Sequence, residues 1–244
     1  MASPVKTEWT SVAASDGASF DTYLALPPAG KGPGLVLFQE IFGVNEHIRM
    51  VAEQYALDGF VVSAPDVFWR QQRRVDLGYE GADRQRGIDL MGQTKPAELE
   101  ADIVASVKAL RARPEITGKV GAVGYCMGGR LAFGAAAVAG ERAAAVASFH
   151  ASRMVTDDET SPHLLLPRIR GEVYVAHADH DGGMPPEQQE RFAAALREAG
   201  LTFSAEQYDD ARHGFTMSDT PVYDADATER HWKALLDLFD RQLH

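Results

Sequence analysis

The sequence predicts an α/β fold, a mostly parallel, doubly wound sheet with helices on both faces and an antiparallel hairpin ahead of it. Three observations carry this. Short apolar runs at Leu35–Phe38, Phe60–Ser63, Ala143–Phe149 and Glu172–Ala176 have the length and composition of strands buried on both faces. Segments of helical length and periodicity separate them, with no repeat, low-complexity stretch or linker, so one domain over residues 1–244 is expected. Finally, VGAVGYCMGGR at Val120–Arg130 sets the chain's only cysteine where a strand gives way to a small-residue helix.

Taken in order, Thr7 to Leu26 alternates around Asp16-Gly17, as two strands joined by a tight turn would. Pro27-Pro28 and the glycines up to Gly34 break that pattern before the Leu35–Phe38 strand. Gln39 to Asn45 is too polar to continue the strand and forms a loop at its carboxyl end, where open α/β sheets bind ligands. A helix is expected from about Glu46 to Leu57, stopped by Asp58-Gly59. Pro65 to Asp83 reads as a long irregular segment, and five arginines fall between Arg70 and Arg86. They are either solvated surface charge or a positive rim that attracts anionic substrates.

Pro96 to Leu110 places Leu99, Ile103, Val107 and Leu110 on one helical stripe, with proline near the start. After the Cys126 turn, a helix is expected over Met127–Val138 and a strand over Ala143–Phe149. Ser152 to Arg170 is a second long polar connection. The strand Glu172–Ala176 leads into His177-Ala178-Asp179-His180-Asp181-Gly182-Gly183, again at a carboxyl edge. Pro186–Ala199 then forms a helix, Thr202–Tyr208 the last strand, Asp209–His213 a loop, and Ala225–Leu243 a final helix burying Trp232, Leu235, Leu236 and Phe239.

The formal charge of −11 argues against a general binder of nucleic acid or anionic membrane. A single cysteine forms no internal disulfide, and MASPVKTEW lacks the apolar core of a signal peptide. The longest apolar run, Leu131–Ala139, is far shorter than the roughly 20 residues a membrane span needs. A cytoplasmic protein is therefore expected.

Gly124-Tyr125-Cys126-Met127-Gly128 has the form of a G-x-S-x-G nucleophile elbow with sulfur in place of oxygen. A strained nucleophile with close-packed neighbours leaves little room for Cβ atoms two positions to either side. The helix N-terminus favours the anionic thiolate that attacks carbonyls. Asp179 or Asp181 and then His213 follow at later strand ends, giving the nucleophile, acid, histidine order of α/β-hydrolases. His177, Asp179, His180 and Asp181 are dense enough to weigh as metal ligands, but they lack H-E-x-x-H spacing or a paired cysteine set. No metal and no organic cofactor is expected.

With these residues in hand, the chain resembles the dienelactone hydrolases, cysteine-dependent members of the α/β-hydrolase fold. QEIFGVN at Gln39–Asn45, APD at Ala64–Asp66, GYCMGG and HGF at His213–Phe215 carry the resemblance over nearly the whole chain. It implies Cys126 as nucleophile, His213 as base and Asp181, which precedes a short stretch ending in proline, as acid. It also implies Glu40 as a carboxylate that controls thiol ionisation, and the N–H groups of Ile41 and Met127 as the oxyanion hole. Arg86 looks like one arginine that the family uses to hold a substrate carboxylate. Met217 stands where the family's second arginine would be, and His150 and Phe68 stand where better-known members have tyrosines. The resemblance thus implies a hydrolase of small carboxylic esters or lactones, working through a Cys-His-Asp triad and a thioester on a small-molecule substrate, neutral or anionic, in a reshaped pocket. The rival is a protein that keeps this fold as a non-catalytic or redox-responsive module.

Overall fold

The computed structural model describes residues 4–140 and 143–244. The first residues of the stretch read for a signal peptide, 1–3, lie outside them. Two strands, β1 (Lys6–Ala13) and β2 (Ser19–Leu26), pair antiparallel from Lys6 opposite Leu26 to Ala13 opposite Ser19. Their turn needs Gly17 at φ 85°, and Asp16 Oδ1 accepts from the Ala18 amide. The hairpin leads into β3 (Gly32–Phe38), α1 (Glu46–Leu57) and β4 (Val61–Pro65). Asn45 caps α1 by accepting from the Ile48 amide at 3.2 Å.

Helices α2 (Gly81–Gln93) and α3 (Pro96–Arg111) precede β5 (Ile116–Tyr125), α4 (Met127–Ala139) and β6 (Ala143–Phe149). A 3₁₀ turn, Pro162–Arg168, interrupts the connection to β7 (Glu172–His180). The chain ends with α5 (Pro186–Glu198), β8 (Phe203–Arg212) and α6 (Ala225–Leu243). All eight strands form one sheet in the order β1-β2-β4-β3-β5-β6-β7-β8. The pairs from β4 to β8 are parallel, and β2 joins β4 antiparallel. This is the α/β-hydrolase arrangement that the sequence predicts.

Alternation along β3 divides the core between the two faces of the sheet. Leu35 and Leu37 join Ile48, Tyr55, Leu235 and Phe239 under α1 and α6, whereas Val36 and Phe38 join Ile103, Val107, Phe133 and Phe192 under α3, α4 and α5. On the α1 and α6 face, Tyr125 ties the end of β5 to both helices through hydrogen bonds to Tyr55 Oη (2.5 Å) and His231 Nε2 (3.0 Å).

Several local expectations are corrected. Helix α2 begins at Gly81, inside the segment read as irregular, so Arg84 and Arg86 are helical. Strands β7 and β8 run on to His180 and Arg212 through a register shift between Ala178 and His180, which places His177, Asp179 and His180 on a strand. In α6, His231, Leu238 and Leu243 are buried with Leu235 and Phe239, while Trp232 and Leu236 are partly exposed. The arginines of the β4 to α2 connection also divide. Arg70 makes a two-pronged bond to Asp102 (2.9 and 2.8 Å) and a 2.6 Å bond to Asp16, Arg73 donates to Ser19 O, and Arg74 pairs with Asp21. These three staple the connection to the hairpin and α3.

Backbone also packs closely around the β5 to α4 turn. A Cβ on Gly128 would stand 2.3 Å from Phe38 O and 2.4 Å from Gln39 O, and one on Gly124 would stand 2.0 Å from Gly128 O. Gly92, in contrast, is an exposed helical glycine with nothing within 4 Å of its Cβ position. Gly128→Ala should therefore cost at least about 2 kcal/mol, because backbone must separate. Gly92→Ala should stabilise by roughly 0.5–1 kcal/mol. Urea denaturation of the two variants checks both the sign and the contrast.

Candidate active site

The turn between β5 and α4 holds Cys126 at φ 54° and ψ −119°, a left-handed conformation rare for a residue with a Cβ. Such backbone costs about 1–3 kcal/mol and persists only where its surroundings enforce it. Here the enforcement is the close-packed Gly124 and Gly128, with the Cys126 amide donating to Phe149 O at 3.1 Å. The turn lifts the half-exposed thiol above the carboxyl edge of the sheet. Met127 is the first residue of α4, so its N–H has no acceptor within the helix.

His213 follows β8 and Asp181 follows β7, on neighbouring parallel strands. The His213 ring bridges the two other groups: Nδ1 lies 2.8 Å from Asp181 Oδ2 and Nε2 lies 3.0 Å from Cys126 Sγ. Asp179, the other candidate acid, instead accepts from Gln207 Nε2 and the Asp210 amide. The carboxylate of Asp181 is 8 % exposed and takes further bonds from Ser152 Oγ and the Gly183 amide. Burial alone would raise its pKa, but His213, Ser152 and Gly183 together hold it below the ordinary carboxylate value. Burial likewise works against the His213 cation. Its hydrogen bonds to Asp181 and Cys126, with their charges, outweigh burial and push it up to about 10.

Glu40 ends the strand-to-loop passage after β3 and is completely buried, with both carboxylate oxygens lacking a hydrogen-bond partner among the described residues. Desolvation raises it to about 7, opposed by the charge of His213. The next residue, Ile41, lies against α2: a Cβ on Gly87 would stand 2.5 Å from Ile41 O. Helix α2 thus packs onto the loop beside the thiol and brings Arg86 into the same region. Arg86 is partly exposed, donates to Gln72 Oε1 at 3.0 Å and has no ion pair among the described residues.

The remaining predicted residues occupy different depths. His150, at φ 41°, is fully buried behind His213 with ring centroids 5.3 Å apart, and its Nε2 bonds Thr216 Oγ1 at 2.9 Å. Burial first, then the nearby His213 and His231 charges, keep it far below the usual histidine value, so it is a neutral wall. Met217 closes a turn to Gly214 O, and its Cε occupies the space a Cβ on Gly214 would need. It packs over the turn that carries His213. Phe68 is not brought to the thiol's surface: it is fully buried with Leu24, Val36, Phe38 and Leu90. Of the four side chains weighed as metal ligands, His177 is buried with neither ring nitrogen partnered among the described residues, and Asp181 pairs with His213. Asp179 and His180 converge with Asp210 near the surface, their donor atoms within 4.8 Å of one another.

Ser152 was missed by sequence reasoning. It sits at the carboxyl end of β6, one of the edges where chemistry collects in such sheets, and that position was its available signal.

Comparison with known proteins gives a consistent picture. The dienelactone hydrolase family model matches residues 20–243. A Synechocystis sp. protein provisionally assigned as a carboxymethylenebutenolidase is 30% identical over 226 residues, 91% of each chain. A carboxymethylenebutenolidase of a Pseudomonas sp. is 36% identical over 132 residues, 54% of this chain and 56% of that one. Among solved structures, a provisionally assigned dienelactone hydrolase from Klebsiella pneumoniae superposes with a TM-score of 0.86 at 23% identity, covering 97% of this chain and 99% of that one, which speaks for the fold. A dienelactone hydrolase-like promiscuous phosphotriesterase from metagenomic libraries gives a TM-score of 0.78 at 25% identity, covering 98% and 99%. No helix of the described residues is long and apolar enough to cross a membrane. With a family model matched along almost its whole length, the chain belongs to the dienelactone hydrolase family.

Proposed function

We propose that the protein hydrolyses small carboxylic esters or lactones through a thioester formed on Cys126. The supporting observation is the continuous relay from Asp181 through His213 to the thiol, with contacts of 2.8 and 3.0 Å. In this reading Cys126 Sγ attacks the substrate carbonyl carbon with the proton it shares with His213 already held on Nε2. The oxygen that gains charge lies against the N–H groups of Ile41 and Met127. Collapse breaks the C–O bond, and His213 Nε2–H protonates the departing alkoxide, which in a lactone stays tethered to the acyl group. Water then attacks the thioester with His213 as base, releasing the carboxylic acid and the thiol. Throughout, Asp181 holds Nδ1–H in place, so Nε2 always faces the sulfur.

Glu40 fits a modulating role. It is buried without a partner, and its ionisation responds to the charge on His213. Arg86 fits the reading of an anionic substrate: with Arg70, Arg73 and Arg74 engaged in structural bonds, it and Arg84 are left without an ion pair among the described residues, and Arg86 adjoins Gly87, which packs against Ile41.

Cys126→Ala should reduce kcat/KM toward activated esters by at least about 10³-fold, and wild-type turnover by this variant would overturn the reading. Since His213 keeps its proton up to about 10, the alkaline limb of the rate profile should lie near that pH. Asp181→Asn removes the charge that raises His213, so the limb should move to lower pH while kcat drops by about 10²–10⁴-fold. Arg86→Ala should raise KM for anionic esters by roughly tenfold or more while sparing neutral ones, and equal effects on both classes would remove its role.

Glu40 also makes a stability prediction. Its folded value of about 7 exceeds its ordinary 4.5, so between these the folded state binds a proton the unfolded chain has released. Stability therefore falls as pH rises through this window, by about 3 kcal/mol from this group. Denaturant titrations at pH 5 and pH 8 should show wild type losing that much more than Glu40→Gln.

A further inference from the structure

Ser152 lies at the centre of the acid and base without belonging to the expected triad. Its Oγ stands 2.7 Å from Asp181 Oδ2, 2.9 Å from Asp181 Oδ1 and 3.3 Å from His213 Nδ1. A hydroxyl has one proton and two lone pairs. Asp181 is an acceptor when ionised, so that proton is shared across the two carboxylate oxygens. The lone pairs then face the Nδ1–H that donates chiefly to Asp181 Oδ2. All three groups are satisfied in only one arrangement of protons: Nδ1 protonated, Asp181 ionised, and Nε2 facing the sulfur.

The backbone is built to hold this hydroxyl in position. Ser152 lies between two non-glycine residues with left-handed backbone, His150 at φ 41° and Arg153 at φ 57°. The segment is tied at one end by the His150 amide to Ala176 O on β7, and at the other by the Arg153 amide to Gly183 O beside the acid. Gly183 is part of the same fit, because a Cβ there would stand 2.7 Å from Ser152 Cβ and 2.9 Å from its Oγ. Strain on one side and a missing Cβ on the other meet at one side chain.

The geometry points to Ser152 as a positioning residue that holds Asp181 ionised and His213 in its Nδ1–H tautomer throughout acyl transfer. This rests on the Cys126, His213 and Asp181 chemistry proposed above. The charge on His213 changes as it takes and returns the proton, and a carboxylate held by Ser152 and the Gly183 amide as well as by the imidazole keeps its place through both states. The other titratable groups facing the pair are Cys126 from the elbow, Glu40 from the end of β3, His150 from the end of β6 and His177 from β7. Of these, only Cys126 makes a hydrogen bond to the pair among the described residues.

The test is steady-state kinetics across pH for Ser152→Ala, Ser152→Thr and Ser152→Val on one neutral ester. Ser152→Ala should lower kcat about tenfold with KM within about twofold, since the hydroxyl bonds Asp181 and faces Nδ1 rather than the Nε2 side that meets the sulfur. Losing a donor to Asp181 makes its anion less favourable, so the acid limb of kcat/KM should move up by about one pH unit. Thr and Val have nearly the same shape and differ in the hydroxyl, so Ser152→Thr should keep most of the wild-type rate and acid limb while Ser152→Val behaves as Ser152→Ala. That pair decides the matter even if Ser152→Ala does not fold. Equal rates and limbs for the Thr and Val variants would overturn the inference, as would a Ser152→Ala enzyme with the wild-type profile. If Cys126→Ala is inactive and the Ser152 series is flat, the role of Ser152 falls alone. If Cys126→Ala stays active, the reading beneath it falls too.

Discussion

The site depends on one close approach, that of the α4 N-terminus to the end of β3. Gly128 lies so near the Phe38 and Gln39 carbonyls that no side chain fits between them. This contact brings the β5 to α4 turn against the β3 loop, and with it Cys126 beside the residues that follow Gln39. The left-handed backbone of Cys126 is the local cost of that approach. In return the thiol, the N–H of the first helical residue and the Ile41 loop meet at one point on the sheet edge. Gly87 extends the same principle outward, letting α2 lie on the Ile41 carbonyl. Close backbone contacts rather than long side chains thus set the turn of Cys126 against the loop after β3, two parts that come from widely separated stretches of chain.

Solvation then sorts groups that are chemically alike. Asp181 and Glu40 are both buried carboxylates, but Asp181 receives bonds from His213, Ser152 and Gly183, and Glu40 receives none. The first is held anionic and the second is raised to about 7. His213 and His150 divide in the same way. Their rings are 5.3 Å apart, and the one bonded to a carboxylate keeps its proton while the one bonded to Thr216 stays neutral. Four different ionisation behaviours thus come from two residue types, and environment rather than residue type sets them.

Motifs with a mechanical reason were legible in the sequence. The G-x-C-x-G spacing, the Asp58-Gly59 stop after α1 and the apolar runs of β3 and β6 each reflect a local constraint that leaves a residue pattern. What stayed hidden depends on tertiary contact. Helix α2 has a weak apolar stripe with only Gly87 and Leu90 buried, so no periodicity marked it. The extensions of β7 and β8 are polar because they run past the helices that cover the sheet, and polar sequence there reads as loop. Choosing between Asp179 and Asp181 required knowing that the strand continues through His180, which sets which carboxylate faces His213. Phe68 is another such case: its burial with Leu24, Val36, Phe38 and Leu90 depends on a loop after β4 that Arg70 and Asp102 hold to α3.

That network also narrows how substrate charge can be read. Five arginines in a short stretch of an acidic chain look like an electropositive rim, yet three are consumed by Asp16, Ser19, Asp21 and Asp102. A guanidinium already held by a carboxylate offers little to an incoming anion, because capture would mean exchanging one buried or half-buried ion pair for another. What sets Arg84 and Arg86 apart is not local charge density but the absence of both an anchor to the hairpin or α3 and an ion pair among the described residues, and Arg86 adjoins the glycine by which α2 packs against the loop after β3.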